Sequence, residues 1–341
     1  MSVLHMNLGE HGYDITVERG VLERIGELLR LDRRVLILTD SGVPTEYAQS
    51  VANACREAHV VTLAPGESNK CIEKYTEILK AMVDAGFDRG DCVVAVGGGV
   101  VGDLAGFVAS TYMRGVDFYN VPTTLLSQID SSIGGKVAVD FGGYKNIVGA
   151  FYQPKAVVID PEVLSTLDDR QFACGMAEAV KMFATFDAEA FEYVEREGRD
   201  ADIDRVIVRA LEIKRNVVQQ DEKEKGLRRV LNFGHTVGHA IESLSENDEK
   251  PLLHGECVAV GMLCMSEGET RERIKKTVAN FGLPTTWQGK ESEVIAAMTH
   301  DKKASGDSIR VVKVDKLGTF TEQKMTAREI AAQIGEVIAL V

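Results

Sequence analysis

The chain has 341 residues, of which 45% are hydrophobic and 27% charged, and its formal net charge is −13. This length favours two domains, the acidic charge argues against general nucleic-acid binding, and no apolar run approaches the roughly 18 residues of a membrane span. The six cysteines stand singly and the N-terminus lacks a secretory pattern, so we expect reduced core thiols in a cytoplasmic protein.

The first half of the chain alternates strands with helices. A hairpin is predicted first, and each later apolar run is followed by a stretch with helical periodicity. This alternation predicts a parallel sheet with covering helices. The predicted strands are 3–7, 13–18, 34–40, 59–63, 91–96 and 156–160, and the predicted helices are 21–31, 43–58, 70–85 and 104–112.

A glycine-rich loop follows the third strand of this alternating region. The stretch Gly97–Asp103 contains G-x-G-x-x-G between a predicted strand and a predicted helix, where backbone amides can hold a pyrophosphate. No strand-ending acidic residue follows about twenty positions later, so Asp40, at the end of an earlier strand, is the candidate for the ribose. A tight turn that needs positive φ is the alternative. The charged turn at 65–70 fits a solvated loop as well as a nucleotide contact.

Residues 121–149 are rich in Thr, Ser, Gly, Asp and Lys and are flanked by apolar runs. Thr123 and Thr124 offer hydroxyl groups, while Lys136 and Lys145 offer positive charge. Cations inside such a motif are expected to meet an anion, because the chain as a whole is acidic. We therefore interpret this segment as part of a site and not as a linker.

Helical periods dominate after a boundary near 160–167, which predicts a mostly helical second domain. A long helix is expected over 203–220, and no clear strand before 309–321. Glu178 and Lys181 stand three residues apart on one helical face. By itself this pair is interpreted as a surface ion pair.

Three histidines lie within twenty residues of the second half. His235 and His239 are four residues apart and so share one helical face, with Glu242 close to the same face. His254 follows shortly after. Three imidazoles with carboxylates nearby suit a zinc site that keeps one position open for substrate. Satisfied histidines on a polar helix face are the alternative, and spacing alone nominates His239 as a ligand as readily as His235.

Two glycines, Gly234 and Gly238, stand one helical turn apart beside these histidines. A glycine costs a helix about 1 kcal/mol relative to alanine. Their presence therefore predicts a close approach of either a ligand or another backbone.

These motifs form an ordered set along nearly the whole chain. The set comprises Gly97–Asp103, Pro122–Leu126, Asp130–Lys136, Lys145 and Asn146, Gly175–Lys181, Leu231–His239, Leu253–Glu256 and Asp301–Lys303. In order and spacing it resembles the 3-dehydroquinate synthase family. The resemblance implies an α/β fold with a Rossmann-like parallel-sheet domain that binds NAD over 1–163. A mostly α-helical domain over 164–341 would bind metal and substrate.

The resemblance also implies an activity. The family converts 3-deoxy-D-arabino-heptulosonate 7-phosphate to 3-dehydroquinate and phosphate in the shikimate pathway, by transient oxidation with NAD, phosphate elimination, re-reduction and an intramolecular aldol closure. The expected cofactors are NAD and one divalent metal, zinc before cobalt. The expected partners are a small phosphorylated sugar acid and a second copy of the chain, with neither nucleic acid nor membrane.

The resemblance assigns residues to three roles. The metal ligands would be Glu178, His235 and His254, which makes His239 a site residue instead of a ligand and turns the Glu178 ion pair into part of a metal site. NAD would be held by Asp40, Glu67, Lys70, Gly99, Val100, Val101, Gly102, Asp103, Thr123, Thr124, Lys136 and Lys145. Substrate and catalytic residues would be Arg114, Asp130, Lys136, Asn146, Lys181, Lys214, Arg228, Asn232, His239 and one of Lys302 or Lys303. Among these, His239 would transfer protons and Asp130 would hold substrate hydroxyls near the metal.

Three alternative functions stay open at this point. A related sugar-phosphate cyclase would share the fold, although the shikimate substrate is favoured by the set Asn146, Lys214, Asn232 and His239. A metal-dependent polyol dehydrogenase would need fewer cationic pocket residues. An inactive nucleotide-binding regulator would not need an intact metal set. The charged stretch 309–318 and the stretch 171–175 depart from the family pattern.

Overall fold

The computed structural model describes residues 1–246, 248–300, 308–335 and 337–340. Its contacts divide the chain into two compact units, Met1–Leu167 and Asp168–Val341. The boundary expected from the sequence lies four residues earlier. Within the described ranges, no helix is both long enough and apolar enough to cross a bilayer. Lys302 and Lys303 lie outside the described residues.

The first unit is built on a seven-stranded sheet in the order β1-β2-β9-β6-β5-β3-β4. Only β1 runs antiparallel to its neighbour, and β7 and β8 form a separate antiparallel hairpin. The strands are β1 Ser2–Met6, β2 Tyr13–Val17, β3 Arg34–Asp40, β4 Glu57–Leu63, β5 Cys92–Gly97, β6 Asp117–Pro122, β7 Lys136–Phe141, β8 Tyr144–Phe151 and β9 Ala156–Ile159.

Helices cover the sheet of the first unit on both faces. They are α1 Ile25–Leu28, α2 Thr45–Asn53, α3 Ile72–Asp84 and α4 Gly99–Thr111. All six residues of β5 are buried, because alternate side chains enter two different cores. Val93 and Ala95 face the core that includes α3 and α4, whereas Val94 and Val96 face the core that includes α1 and α2. The strand–helix alternation predicted from the sequence is confirmed.

Two helix boundaries in the first unit correct the sequence prediction. The helix predicted over 104–112 begins at Gly99, inside the glycine-rich loop, and the helix predicted over 43–58 ends at Asn53. Glycine has a low helix propensity, so the first turn of α4 was not visible as a helix in the sequence. As a result, the glycine loop itself forms the helix N-terminus at the end of β5.

The order of strands changes direction between β3 and β5. The chain passes from β3 outward to β4, crosses back over β3 to β5, and continues to β6 on the far side. Ligands of open α/β sheets bind at such a switch point, at the carboxyl ends of the strands. Leu38 of β3 pairs with Ala95 of β5, so Asp40 and Gly97 lie at the same edge, two residues further along each strand.

The second unit is mostly helical, as the sequence predicted. It also contains two short strand pairs, one of them parallel (β10 with β13) and one antiparallel (β11 with β12). β10 corrects the expectation of no strand before residue 309; two residues are too short for a periodic signal. The elements are α5 Asp169–Phe186, α6 Ala188–Glu197, α7 Ile203–Gln220, α8 His235–Ser245, α9 His254–Cys264, α10 Gly268–Asn280, β10 Gln288–Gly289, α11 Glu291–His300, β11 Ile309–Lys313, β12 Thr321–Met325, α12 Ala327–Ile334 and β13 Ala339–Leu340.

Helices α8 and α9 touch backbone to backbone through glycines. A Cβ on Gly238 would stand 3.1 Å from the Cys257 carbonyl oxygen, and one on Gly261 would collide with the Gly234 carbonyl oxygen. Gly234 also has φ +79°, a left-handed conformation that favours glycine. The close approach expected at Gly234 and Gly238 is therefore that of another backbone. This contact brings the first turns of α8 and α9 together.

Candidate active site

A buried carboxylate faces two imidazoles in the second unit. Glu178 lies on α5 with its side chain 1% exposed, and its Oε1 is 3.7 Å from His235 Nε2 and 3.5 Å from His254 Nε2. Among the described residues, this oxygen has no hydrogen-bond partner, while Oε2 pairs with the Lys181 ammonium. A buried carboxylate oxygen without a donor needs an explanation, and a divalent metal held by one carboxylate and two imidazoles supplies one.

Each imidazole is oriented through its other ring nitrogen. His235 Nδ1 lies 3.2 Å from the Phe233 carbonyl oxygen, and His254 Nδ1 lies 3.1 Å from Glu242 Oε2. When Nδ1–H donates to these acceptors, the lone pair is left on Nε2 of each ring. Both Nε2 atoms face Glu178. The two imidazoles could therefore bind a metal together with Glu178 while their Nδ1 hydrogen bonds stay in place.

His239 completes a cluster of three imidazoles. Candidate ligand atoms of His235, His239 and His254 all lie within 4.8 Å of one another. His239 is exposed, and its ring centroid is 5.3 Å from that of His235 and 5.7 Å from that of His254. Geometry alone thus admits the three histidines as a ligand set. The orphaned Glu178 oxygen favours the set in which Glu178 replaces His239.

The charges of this cluster are strongly coupled. Burial alone would raise the pKa of Glu178, but the Lys181 ammonium and His254 hold that pKa well below its usual range. Burial lowers the pKa of His254, yet the nearby carboxylates of Glu178 and Glu242 outweigh burial and raise it to about 10. Burial, with the nearby Lys181 charge, lowers the pKa of His235 well below its usual value. A metal would therefore displace a proton from His254 and meet an ionised Glu178.

An arginine fork fixes the segment that leads into α9. Arg170 Nε lies 2.7 Å from Glu256 Oε1, and Arg170 Nη2 lies 2.6 Å from Glu256 Oε2. Glu256 Oε2 also accepts from the Leu253 amide at 2.7 Å, directly before His254. Sequence reasoning missed this contact because its two residues stand 86 positions apart. Only the packing of α5 against α9 shows it.

A carboxylate organises the turn that carries Arg228. Asp221, the C-cap residue of α7, accepts from the amides of Lys225 at 2.8 Å, Gly226 at 2.6 Å and Arg228 at 3.0 Å. Burial would raise the pKa of Asp221, but these amide hydrogen bonds lower it. The Arg228 side chain is buried, and its Nη1 donates to the Glu222 carbonyl oxygen at 2.5 Å. The sequence had no signal for this role of Asp221.

Two further expected substrate residues lie in the second unit. Lys214 is buried on α7, which packs against α5, the helix that carries Glu178. Asn232 is exposed, and its amide nitrogen donates to Glu224 Oε1 at 2.7 Å. Lys214 thus stands on a helix packed against that of Glu178, and Asn232 precedes the start of α8 by three residues.

In the first unit, the glycine loop forms the start of α4. None of Gly97, Gly98, Gly99 and Gly102 has positive φ, so the tight-turn alternative is wrong. Close packing explains these glycines, since a Cβ on Gly98 would lie 3.0 Å from Thr124 Cγ2 and one on Gly99 3.1 Å from Ser131 Oγ. Gly98 is the N-cap and has no side chain to bond the first amides. These amides suit an anion.

Three expected cofactor residues of the first unit meet at Lys70. Its ammonium lies 2.7 Å from Glu67 Oε1 and 3.3 Å from Asp103 Oδ2. Burial lowers the pKa of Lys70, but Asp103 and Glu67 outweigh burial and raise it, so the ammonium stays charged. Val101 is fully buried in the core, which leaves only its backbone for a ligand.

Other expected cofactor residues lie at the same edge of the sheet. The Thr123 amide, which follows β6, donates to the Gly97 carbonyl oxygen at 3.0 Å. Thr124 Oγ1 accepts from the Ser127 amide at 3.2 Å. Asp40 Oδ1 accepts from the Gly42 amide at 2.8 Å. Asp40, Thr123 and Thr124 thus lie at or just beyond the carboxyl ends of β3 and β6, the two neighbours of β5.

The hairpin of β7 and β8 separates two of the expected substrate residues. Lys136 pairs with Phe151 at one end of the ladder. Asn146 has φ 55°, and its amide donates to Asp140 Oδ1 at 2.7 Å near the other end. Four residues of strand span about 13 Å. Lys136 and Asn146 therefore do not meet on this hairpin, whereas Lys145 is an exposed neighbour of Asn146.

Arg114 and Asp130 occupy irregular backbone. Met113 and Arg114 have φ of 48° and 70°, which is uncommon for residues with a side chain, and Arg114 is exposed. Asp130 lies in a π-helical turn, Ser127–Ser131, that packs beside the glycine loop at Gly99. Such backbone is frequent at functional sites, although it does not assign a role by itself.

Two family models match adjoining parts of the chain. The 3-dehydroquinate synthase N-terminal model matches residues 60–174, and the corresponding C-terminal model matches residues 175–304. A 3-dehydroquinate synthase from Pelobacter propionicus is 42% identical over 362 aligned residues, which cover 98% of this chain and 99% of the relative.

Solved structures share the fold over at least 95% of the chain. The 2-epi-5-epi-valiolone synthase of Streptomyces hygroscopicus, solved with NAD+ and Zn2+ bound, is 28% identical with a TM-score of 0.85, and the match covers 95% of this chain and 96% of that one. A 2-deoxy-scyllo-inosose synthase complexed with carbaglucose-6-phosphate, NAD+ and Co2+ has a TM-score of 0.87 at 24% identity, over 98% of this chain and 100% of that one, and shows the fold alone. The fold class predicted from the sequence is confirmed. The chain belongs to the 3-dehydroquinate synthase family.

Proposed function

We propose that this chain is a 3-dehydroquinate synthase, a lyase that converts 3-deoxy-D-arabino-heptulosonate 7-phosphate to 3-dehydroquinate and phosphate in the shikimate pathway. The observation that carries the proposal is the buried Glu178 oxygen that faces His235 and His254, in a chain matched by both family models. When bound, NAD takes and returns a hydride at the carbon that bears the C5 hydroxyl, and a divalent metal polarises that hydroxyl.

Glu178, His235 and His254 would hold the metal, with zinc as the expected ion and cobalt as a substitute. One carboxylate and two imidazoles are a ligand set that zinc takes in catalytic sites, and three protein ligands leave a position open for a substrate hydroxyl. Lys181 occupies Glu178 Oε2, so the carboxylate offers a single oxygen to the site.

His239 would move protons at the substrate hydroxyls. Its ring lies beside the two proposed ligands and is exposed, so a substrate at the open position can reach it. Imidazole titrates near neutral pH and suits general acid–base work. The substrate's own phosphate would take the proton that accompanies its elimination, so the chain has to position the phosphate and not supply a strong base.

Cations would hold the phosphate and the carboxylate of the substrate. Lys181, Lys214 and Arg228 are buried in the second unit, where charge-assisted hydrogen bonds are strong. Lys181 also pairs with the Glu178 carboxylate, so in this proposal its ammonium would lie between that carboxylate and an anionic group of the substrate. The remaining proposed substrate residues are Arg114, Asp130, Lys136, Asn146, Asn232 and one of Lys302 or Lys303.

NAD would bind at the switch point of the first unit. The amides at the start of α4 would hold its pyrophosphate, and Asp40 would accept from a ribose hydroxyl. Thr123, Thr124 and Lys145, with the Lys70 ion cluster, would complete the proposed site. A cytoplasmic location and a homodimer stay predictions.

The test follows phosphate release from 3-deoxy-D-arabino-heptulosonate 7-phosphate and NADH absorbance in one cuvette, with and without a chelator. We expect phosphate and 3-dehydroquinate in equal amounts, no accumulating NADH, and loss of turnover on chelation. A Glu178→Gln chain serves as the inactive control. Turnover of sedoheptulose 7-phosphate or a hexose phosphate alone would assign the chain to a related cyclase. NADH that accumulates with simple polyols would sink the proposal.

A further inference from the structure

A carboxylate outside the proposed ligand set contacts one of the ligands. Glu242 Oε2 lies 3.1 Å from His254 Nδ1, across the close contact between α8 and α9. The Glu242 side chain is only 16% exposed, so water competes weakly for this hydrogen bond. We propose that Glu242 is a positioning residue, which holds His254 with its Nε2 lone pair toward Glu178 Oε1. This inference rests on the metal site of the proposed function.

The two proposed imidazole ligands differ in how they are held. His235 Nδ1 is hydrogen-bonded to the Phe233 carbonyl oxygen. This acceptor belongs to the backbone, so no side-chain substitution removes it. His254 depends on the Glu242 side chain. His254 is also the more exposed ring, at 33% against 12% for His235, and therefore has more room to turn when it is released. Loss of Glu242 should accordingly weaken the site through His254.

The other groups around His254 do not replace Glu242. Glu178 faces the opposite ring nitrogen, Nε2. Glu256 is two residues further along the chain, but its carboxylate bonds to Arg170 and to the Leu253 amide. Among the described residues, Glu242 is thus the acceptor that faces Nδ1 of His254. An anionic acceptor also makes the imidazole a stronger donor to a metal.

The test measures Co²⁺ binding to the chelator-treated full chain through the d–d absorption, which reports both affinity and ligand geometry. The variants are Glu242→Ala, which removes the acceptor, and Glu242→Gln, which keeps an oxygen acceptor without the charge. Glu197→Gln, at an exposed pair with Arg196, is the control for the loss of one negative charge. We expect Glu242→Ala to raise the Co²⁺ dissociation constant about 10- to 100-fold and to change the spectrum. Glu242→Gln should fall between Glu242→Ala and the wild type, and Glu197→Gln should stay within about twofold.

Thermal unfolding of the metal-free chains separates positioning from general stability. The proposal expects the midpoint of Glu242→Gln to match that of the wild type while its Co²⁺ spectrum differs. It is overturned if Glu242→Ala binds Co²⁺ with unchanged affinity and spectrum. It is equally overturned if Glu242→Gln binds Co²⁺ as the wild type does and the weaker binding of Glu242→Ala is fully explained by the fraction of that variant that is unfolded. These binding measurements use no substrate, so they do not depend on the activity assay. If Co²⁺ binding depends on Glu242 but the wild type does not turn over the proposed substrate, the proposed function is overturned and this inference stands.

Discussion

The two oxygens of the buried Glu178 carboxylate have different neighbours, because Lys181 pairs with one of them. The Lys181 ammonium pairs with Oε2, and Oε1 is left facing two imidazoles. Both side chains are 1% exposed, so bulk water does not compete for the ion pair. A carboxylate fixed in this way offers one oxygen in one direction, which is what a metal site with an open position requires.

Glu178→Gln should therefore remove metal binding and turnover together. The amide offers a weaker oxygen, carries no charge and leaves the Lys181 ammonium without its partner. We expect a loss of more than about 100-fold in kcat/KM, beyond what a residue next to a ligand causes. Zinc content after dialysis should fall in parallel, measured by mass spectrometry. A Glu178→Gln chain that retains stoichiometric zinc would rule Glu178 out as a ligand and favour the three histidines.

Asp221→Asn should loosen the turn that carries Arg228. The pKa of Asp221 is lowered in the fold, so its contribution to stability is fully present above the unfolded pKa near 3.8 and is lost as the pH falls through the folded pKa. The difference in unfolding midpoint between the wild type and Asp221→Asn should be constant at neutral pH and should shrink below about pH 3.8. Calorimetric scans across this range check it. A difference that grows toward acid would contradict the assignment.

Gly261→Ala should force α8 and α9 apart. Its Cβ would collide with the Gly234 carbonyl oxygen, which is backbone and cannot move alone. We expect a loss of about 1–3 kcal/mol in the free energy of unfolding, together with weaker metal binding because His235 and His254 separate. Gly102→Ala is the control for stability, since its Cβ would stand 3.4 Å from Asn120 Oδ1, an ordinary contact. Denaturant titration gives the free energy of unfolding of both variants. Equal values for Gly261→Ala and Gly102→Ala would show that the close approach of α8 and α9 does not limit stability.

Arg170 and Glu256 should show a measurable coupling. Their two-pronged contact anchors the segment before His254, and the Glu256 side chain is only 11% exposed. A double-mutant cycle with Arg170→Ala and Glu256→Gln should give an interaction free energy of about 0.5–3 kcal/mol. Arg170→Lys should restore little, because lysine lacks the planar fork. Additive effects of the two substitutions would show that the contact is incidental.

Asp40→Ala should weaken NAD binding and leave metal binding intact. A hydrogen bond to a charged group contributes about 1.5–3 kcal/mol, so the NAD dissociation constant should rise about 10- to 100-fold. Isothermal titration with NAD measures it, with Asp84→Ala as the control at an exposed carboxylate that pairs with Lys80. Equal NAD affinity in wild type and Asp40→Ala would move the ribose site elsewhere along the sheet edge.

The amino-acid sequence by itself determined the elements and their chemistry. Strand–helix alternation, the glycine loop after an apolar strand and histidines at helical spacing are local patterns, and local patterns depend on periods of two and 3.6 residues. They placed Asp40 at the end of a strand and His235 and His239 on one helix, whereas the helical turn that begins at Gly99 was missed. The order of these motifs along the chain also carried the family resemblance.

Only the tertiary structure decided which groups face each other. Glu178 and Lys181 look like a surface ion pair in the sequence, and they are buried because α5 packs against α9. The glycines of α8 admit a backbone and not a ligand, since α9 lies against them. Glu242 and Arg170 gain roles from residues 12 and 86 positions away. Such contacts depend on how helices pack against each other. Hydrophobic periodicity within one element does not show which residues of distant elements will meet.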